Sequence, residues 1–293
     1  MITLNDYCKA QFGEKLYKLS LDGGMSCPNR DGTVDTRGCI FCSAGGSGDF
    51  TPSPCLSPEQ QIEDAKRRVA AKFSGGRYIA YFQAYTNTHA EPEYLRRLFL
   101  PVISRPDIAA LSVATRPDCL GDGVTELLRE LCEIKPVWVE LGLQTVHPRT
   151  AEYIRRGYGL SVYDEAVEKL NALGIHTVTH VILGLPGESR EDMLDTVRHV
   201  LDRKSGGIKL QLLHVLEDTD LAEDYRQGKF ETMSLEEYVS LVCDCVRLIG
   251  DSAVIHRLTG DGSKRLLLAP LWSGDKKRVI NAINRALIEN GLK

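Results

Sequence analysis

No apolar run in the sequence reaches the ~18 to 20 residues that a membrane-spanning helix requires. The stretch from Met1 to Gln11 also lacks the basic-then-apolar order of a secretory leader. The expected setting is the cytoplasm. Aromatic residues are few, at 7%, and basic residues hold no surplus: 36 Lys and Arg stand against 40 Asp and Glu, a net charge of −4. That balance excludes a polycationic nucleic-acid coat but leaves room for local basic patches. Low-complexity tracts, Gly/Ser or Pro linkers and short internal repeats are missing too. One domain over residues 1–293 is therefore expected, with a core at about 15–250 and an extension at about 251–293.

What is present is a rhythm. Short β-rich apolar runs at Lys15–Leu21, Tyr78–Ala84, Ala109–Thr115, Val137–Gln144, His176–Leu183, Ile208–His214 and Ala253–Leu258 predict strands. Between them, Glu59–Phe73, Glu93–Leu100, Gly123–Cys132, Val162–Leu173, Arg190–Arg203, Leu235–Leu248 and Lys276–Asn290 place apolar residues at three- and four-residue spacing and predict helices. Ser57 before Pro58 and Glu59, and Ser234 before Glu236 and Glu237, are helix-start signals. Successive βα units make a parallel sheet, curled into a full or partial barrel or laid flat as a doubly wound fold. Either way the loops after the strands' carboxyl ends collect the chemistry, and the longest, Asp22 to Pro58, follows the first of these strands.

A chain of this length builds a core without disulfide staples, and a reducing compartment makes them improbable. The nine cysteines thus need another reason. Cys27, Cys39 and Cys42 fall in that long loop as a C-x11-C-x2-C array, with Phe41 just before the last. Three thiolates suit a cubane iron–sulfur cluster whose fourth iron stays open to a ligand. Structural zinc completed by Cys55, or buried thiols, are the competing readings. Cys243 and Cys245, two apart, lie on different faces of their helix and read as core; Cys119 and Cys132 read as packing residues.

The cysteine array resembles the cluster loop of the radical S-adenosylmethionine (radical SAM) superfamily, in a widened form similar to that of the elongator catalytic subunit. Further blocks narrow the resemblance: the run from Cys27 to Thr33, Tyr81 to Asn87, Thr115 to Asp118, Glu140 to Thr145, Thr179 to Glu188, Leu213 to Val215 and Ile255 to Gly262 are together similar to the YhcC/MnmL family over nearly the whole chain. The resemblance implies an α/β fold, a partial (β/α)6 TIM-like barrel with a C-terminal strand and helix extension. It implies that Cys27, Cys39 and Cys42 hold a [4Fe-4S] cluster, that the open iron binds S-adenosylmethionine, and that reductive cleavage gives a 5′-deoxyadenosyl radical. An electron donor such as flavodoxin or ferredoxin is implied with it.

Carried over residue by residue, Phe41 is placed near the adenine, and Gln144 and Arg156 match a glutamine and arginine that touch the cofactor in the coproporphyrinogen oxidase branch. Thr86 and Asn87 stand where the family usually has a Gly-rich segment, a departure that substitutes polar side chains for backbone contacts. His180 stands where relatives carry an aspartate to a ribose hydroxyl. Glu140 lies on a strand whose interior face would oblige it to find a partner. His89, Glu91, Tyr85, His214, Arg257 and Asp261 fall near strand ends and are candidates for orienting substrate. The family implies a tRNA substrate, with a wobble-uridine side chain processed from 5-carboxymethylaminomethyl to 5-aminomethyl. The alternatives are radical chemistry on a small metabolite, in keeping with the acidic net charge, or a zinc-binding protein without catalysis. Basic clusters available to RNA are Lys66-Arg67-Arg68, Arg96-Arg97, Arg155-Arg156, Lys264-Arg265 and Lys276-Lys277-Arg278.

Overall fold

The computed structural model describes residues 1–46, 51–71, 73, 76–260 and 262–293. A parallel sheet organises the chain. Strands β2 (Tyr17–Leu21), β3 (Tyr78–Phe82), β4 (Ile108–Thr115), β5 (Val137–Gln144), β6 (His176–Leu183) and β7 (Gly207–Leu212) stand side by side in chain order. Beyond β7 lies β9 (Val254–Arg257), and β1 (Ile2–Thr3) pairs with its outer side, so β1 and β2 form the edges of an eight-stranded sheet. Every pairing in it is parallel. The result is the curled half-barrel expected, with the C-terminal strand β9 continuing the sheet beyond β7 and β1 making it eight strands wide. A two-residue strand such as β1 has no periodicity to announce it.

The expected helices are present with small shifts at their ends: α2 (Pro58–Val69), α3 (Pro92–Ile103), α4 (Asp122–Cys132), α6 (Leu160–Ala172), α7 (Arg190–Asp202), α9 (Leu235–Ile249) and α10 (Lys276–Glu289). Ser57 and Ser234 close capping boxes as their sequences indicate. Unforeseen were α1 (Leu4–Phe12), α5 (Pro148–Tyr153) and α8 (Asp220–Arg226), with a small antiparallel pair of β8 (Val215–Leu216) and β10 (Leu267–Ala269). Among the described residues no helix is long and apolar enough to cross a membrane.

Two faces of the sheet carry two chemistries. Outward positions such as Leu19, Phe82, Leu111, Val139, Val181 and Leu210 pack under the helices in one buried core that includes Cys243 and Cys245. Inward, the base of the half-barrel is plugged by Cys8, Leu16, Ile79, Ala110, Trp138 and Val178, with Leu4 and Tyr7 of α1 packed against them. With the base filled, the cavity lies toward the carboxyl ends of the strands, where the long loop after β2 supplies part of its lining.

Candidate active site

The loop after β2 is held by its own side chains. Backbone N–H groups of Arg30 and Asp31 donate to the Cys27 carbonyl at 2.7 and 3.2 Å, and that of Cys42 donates to the Cys39 carbonyl at 3.1 Å. Asn29 donates to the carbonyls of Arg155 and Arg156 at 2.7 and 3.2 Å, with its Nδ2 also 3.3 Å from the Cys39 sulfur. The Arg30 guanidinium gathers the carbonyls of Cys42 (3.0 Å) and Ser43 (2.7 Å). Asn29 and Arg30 therefore pin the loop at both ends of the cysteine array.

Gly157 makes that closeness possible: it adopts φ +84°, and a Cβ there would lie 2.5 Å from Asn29 Oδ1. Gly157→Ala is expected to lower the iron bound after anaerobic reconstitution and to cost roughly 1–3 kcal/mol of stability. Iron analysis and a thermal melt check it; a variant that holds iron like the wild type would detach Gly157 from the loop's placement.

All three cysteines border one cavity of about 370 Å³. Phe41 lines it too, while packing against a core that includes Ile40, Ile154 and Ile182. Cys39 accepts a hydrogen bond from Cys42. This outweighs burial and, with Asn29 and the nearby Arg116 and Arg30, pulls the Cys39 thiol down to about 6, while Cys42 is pushed up. Thiolates are what iron binds, and the two guanidiniums offset the charge that a thiolate-held cluster carries. Among the described residues no three His, Cys, Asp or Glu side chains converge on a point that would hold one metal ion. Cys55 is exposed and is not part of the cavity wall. Among the described residues, three thiols and no fourth cysteine in the cavity wall are the donor set of a cluster with one open corner, whereas structural zinc usually takes four protein ligands.

The other walls come from strand ends. Gln144 ends β5 with φ 67° where the pairing to β6 shifts register, and its Oε1 is buried without a partner at the cavity. Arg156 is clasped by the carbonyls of Leu143 (2.9 Å), Thr145 (2.6 Å) and Tyr158 (3.1 Å). Arg116 and Arg156 each stand 4.9 Å from the Tyr158 ring centroid, and Arg116 is paired with Asp118 at 2.7 Å. Tyr85 and Thr86 face the cavity, whereas Asn87 lies behind the wall, its amide donating to the carbonyls of Ala84 and Ala114, both at 2.9 Å. His89 pairs with Asp31 at 2.8 Å beside a shallow groove that Glu91 also lines, outside the main cavity. His214 packs against Gly260 and Gly262. Arg257 lines the cavity; Asp261 is outside the described residues.

Below, a polar layer crosses the lumen, one side chain from each of β2 to β7: Lys18, Tyr81, Ser112, Glu140, His180 and Lys209. Glu140 is fully buried at its centre. Its Oε1 accepts from Lys18 and Ser112, both at 2.6 Å; its Oε2 meets His180 at 2.7 Å and Lys209. Lys209 also donates to the Tyr81 hydroxyl at 3.1 Å. Burial alone would raise the Glu140 carboxyl, but Lys18 and Lys209 hold it well below the usual range. Burial and Lys209 push His180 down to about 4, so it is neutral at pH 7. His180 thus stands in the lumen's polar layer with Glu140 as its partner. Lys18, Tyr81, Ser112 and Lys209 escaped the sequence reading as site residues, although a lysine at an alternate position of an apolar strand was a usable sign.

Residues 36–200 match the model of the radical SAM superfamily, and residues 206–289 match the radical SAM C-terminal domain. The chain belongs to the radical SAM superfamily. It is 48% identical to the uncharacterized protein YtqA of Bacillus subtilis over 99% of this chain and 90% of that one, and 36% identical to YhcC of Escherichia coli over 97% and 91%. The tRNA uridine(34) acetyltransferase of Methanocaldococcus jannaschii is 26% identical over 45% of this chain and 25% of its own. The solved archaeal Elp3 of Methanocaldococcus infernus superposes with a TM-score of 0.72 over 95% of this chain and 64% of that one; at 15% identity it attests the shared fold. Family membership implies a [4Fe-4S] cluster and S-adenosylmethionine, and in this radical SAM chain the cysteine wall has the donor set to hold the former.

Proposed function

We propose that this radical SAM enzyme modifies the wobble uridine of tRNA, converting a 5-carboxymethylaminomethyl side chain to 5-aminomethyl. Cys27, Cys39 and Cys42 would hold the cluster, with Phe41, Thr86, Gln144 and Arg156 around the S-adenosylmethionine. When bound, that pair supplies a 5′-deoxyadenosyl radical able to abstract a hydrogen atom. The chain's own part is to place and shield: the plugged base keeps bulk water out from below, and Tyr158 between two guanidiniums stiffens the wall. A flavodoxin or ferredoxin is proposed as electron donor.

The observation that carries the substrate reading is the cavity of about 370 Å³ itself, with exposed Lys264 and Arg265 directly following its lining residues Gly262 and Ser263. A flipped base needs just such a pocket and a modest cationic rim. The named role of the archaeal acetyltransferase relative, on uridine 34, points the same way. A small-metabolite substrate draws support from the other basic clusters. Lys66, Arg67 and Arg68 are paired with Glu63, Asp64 or Asp107, Arg96 with Glu130, and Arg155 with Asp220.

Anaerobic incubation with reductant, S-adenosylmethionine and tRNA from a deletion strain, followed by nucleoside mass spectrometry, tests the proposal. Conversion of the carboxymethylaminomethyl nucleoside is expected. An unchanged profile, both in that reaction and in the deletion strain itself, removes tRNA from the reading. The rim makes a second expectation: a Lys264→Ala, Arg265→Ala variant should lower the slope of log affinity for tRNA against log salt by about 2, roughly one for each phosphate left unneutralised. An unchanged slope in a filter-binding titration would take the rim out of the RNA path.

A further inference from the structure

The side-chain amide of Asn29 meets three acceptors with two hydrogens. Asn29 is 1% exposed, and its Nδ2 lies 2.7 Å from the Arg155 carbonyl, 3.2 Å from that of Arg156 and 3.3 Å from the Cys39 sulfur. The Arg155 carbonyl takes one hydrogen at short range. The Arg156 carbonyl already accepts from Arg116 Nη1 at 3.1 Å, so the second hydrogen is shared with the sulfur. Turning the amide over would set Oδ1 against two carbonyl oxygens and that sulfur. The nitrogen's direction is thereby fixed, although it leaves Oδ1 buried without a partner over Gly157.

Ligation strengthens the contact. With its proton in place the Cys39 thiol can itself donate toward the Arg155 carbonyl, at 3.6 Å. As a thiolate on iron it keeps only acceptor capacity, and a hydrogen bond to an ionised acceptor is roughly twice as strong as one between neutral groups. An electron added to a cluster puts further negative charge on its sulfurs, so a donor fixed at one of them stabilises the reduced form more than the oxidised one. We infer that Asn29 is a positioning residue for reduction: its N–H···S bond to Cys39 raises the potential at which the cluster takes the electron that cleaves S-adenosylmethionine. The inference goes beyond the tRNA reading and holds for any substrate. The same amide ties the cluster loop to the cofactor's wall, since the Arg156 guanidinium holds the carbonyls on either side of Gln144.

The test uses anaerobically reconstituted protein without S-adenosylmethionine, titrated with dithionite and redox mediators while electron paramagnetic resonance follows the reduced cluster. Asn29→Ala is expected to lower the midpoint by about 59 mV, a tenfold loss in the one-electron equilibrium. Asn29→Asp, of the same shape but with no N–H at neutral pH, should lower it at least as far. A residue that merely held the loop would, when replaced, leave less iron bound but the wild-type midpoint in the clusters that remain; that result would overturn the inference. The wild type supplies a second readout. Fed asparagine labelled with nitrogen-15 in its side-chain amide, its reduced cluster should show a nitrogen coupling in electron–nuclear double resonance, together with a proton coupling that vanishes in deuterium oxide. Absence of the nitrogen coupling discards the bond even where neither variant keeps a cluster. No cubane in the wild type would overturn the inference together with the ligand set, whereas the expected shift in a protein that leaves tRNA unchanged removes the substrate reading alone.

Discussion

Glu140→Gln is expected to destabilise the protein by about 3–5 kcal/mol, a fall in melting temperature of roughly 10 °C for a chain of this size. The side chain that replaces it has nearly the same shape, so the loss is electrostatic. Lys18 and Lys209 would keep their positions around a group that no longer carries charge, inside a lumen with little water to compensate. Removing the lysine together with the acid, as Glu140→Leu with Lys209→Met, should recover part of the loss, because a buried ion pair replaced whole costs far less than one broken.

The dependence on pH has a definite sign. The folded-state pKa of Glu140 is depressed below its ordinary 4.5, so its contribution is full above that value and disappears as the pH falls through the lower, folded one. The gap between wild type and Glu140→Gln should therefore persist from neutrality down past pH 4.5. His180 adds a second loss: lowered from 6.5 to about 4 by burial and Lys209, its neutral form suits the folded state above 6.5 and stability falls as the pH drops toward 4, the more so in Glu140→Gln, which lacks the carboxylate that partly offsets the shift. Denaturant melts across pH 3.5–8 measure both trends. A Glu140→Gln protein as stable as wild type at pH 7 would mean that the layer's charges are solvated and that the lumen is not a closed cup.

This layer also marks where sequence reading stops. The bounds of β5 and β6 match the sequence expectation because runs of eight mostly apolar or β-branched residues, largely buried in a parallel sheet, leave little else for the chain to do. That Cys27, Cys39 and Cys42 belong together was legible from their closeness in one loop, and they do line one cavity, although the sequence alone left zinc and plain burial as competing readings. Lys18 and Lys209 were not, since a lysine within a strand is more often at an edge or snorkelling to water than buried beside a carboxylate 122 or 69 residues away in sequence. Asn87 shows a second role that no local pattern encodes: its amide nitrogen ties the Ala84 and Ala114 carbonyls together at the turn after β3, while its Oδ1 is buried without a protein partner. Asn29 and Gly157 act as a pair across 128 positions, and only the folded chain makes one the reason for the other.

Cys42→Ala should abolish cluster binding and bring reductive cleavage of S-adenosylmethionine to background, while Cys55→Ala leaves both at the wild-type level. The contrast follows from position. Cys42 is in the cavity wall, hydrogen-bonded to Cys39, whereas Cys55 sits on an exposed stretch outside it. With two thiolates left, the cubane loses a corner it cannot replace from nearby, since Cys27 and Cys39 are the only other cysteines lining the cavity among the described residues. The fold itself should survive, because the loop is held mainly through Asn29 and Arg30 to backbone carbonyls, contacts that Cys42→Ala leaves in place. The metal-free Cys42→Ala protein is accordingly expected to melt within about 1 kcal/mol of the metal-free wild type. Iron and sulfide analysis, the visible spectrum of anaerobic protein and the yield of 5′-deoxyadenosine read the outcome together. Iron retained by Cys42→Ala, or lost in Cys55→Ala, would mean that the ligand set is not the one the cavity wall presents, and the radical chemistry would have to be sought from a differently held cluster.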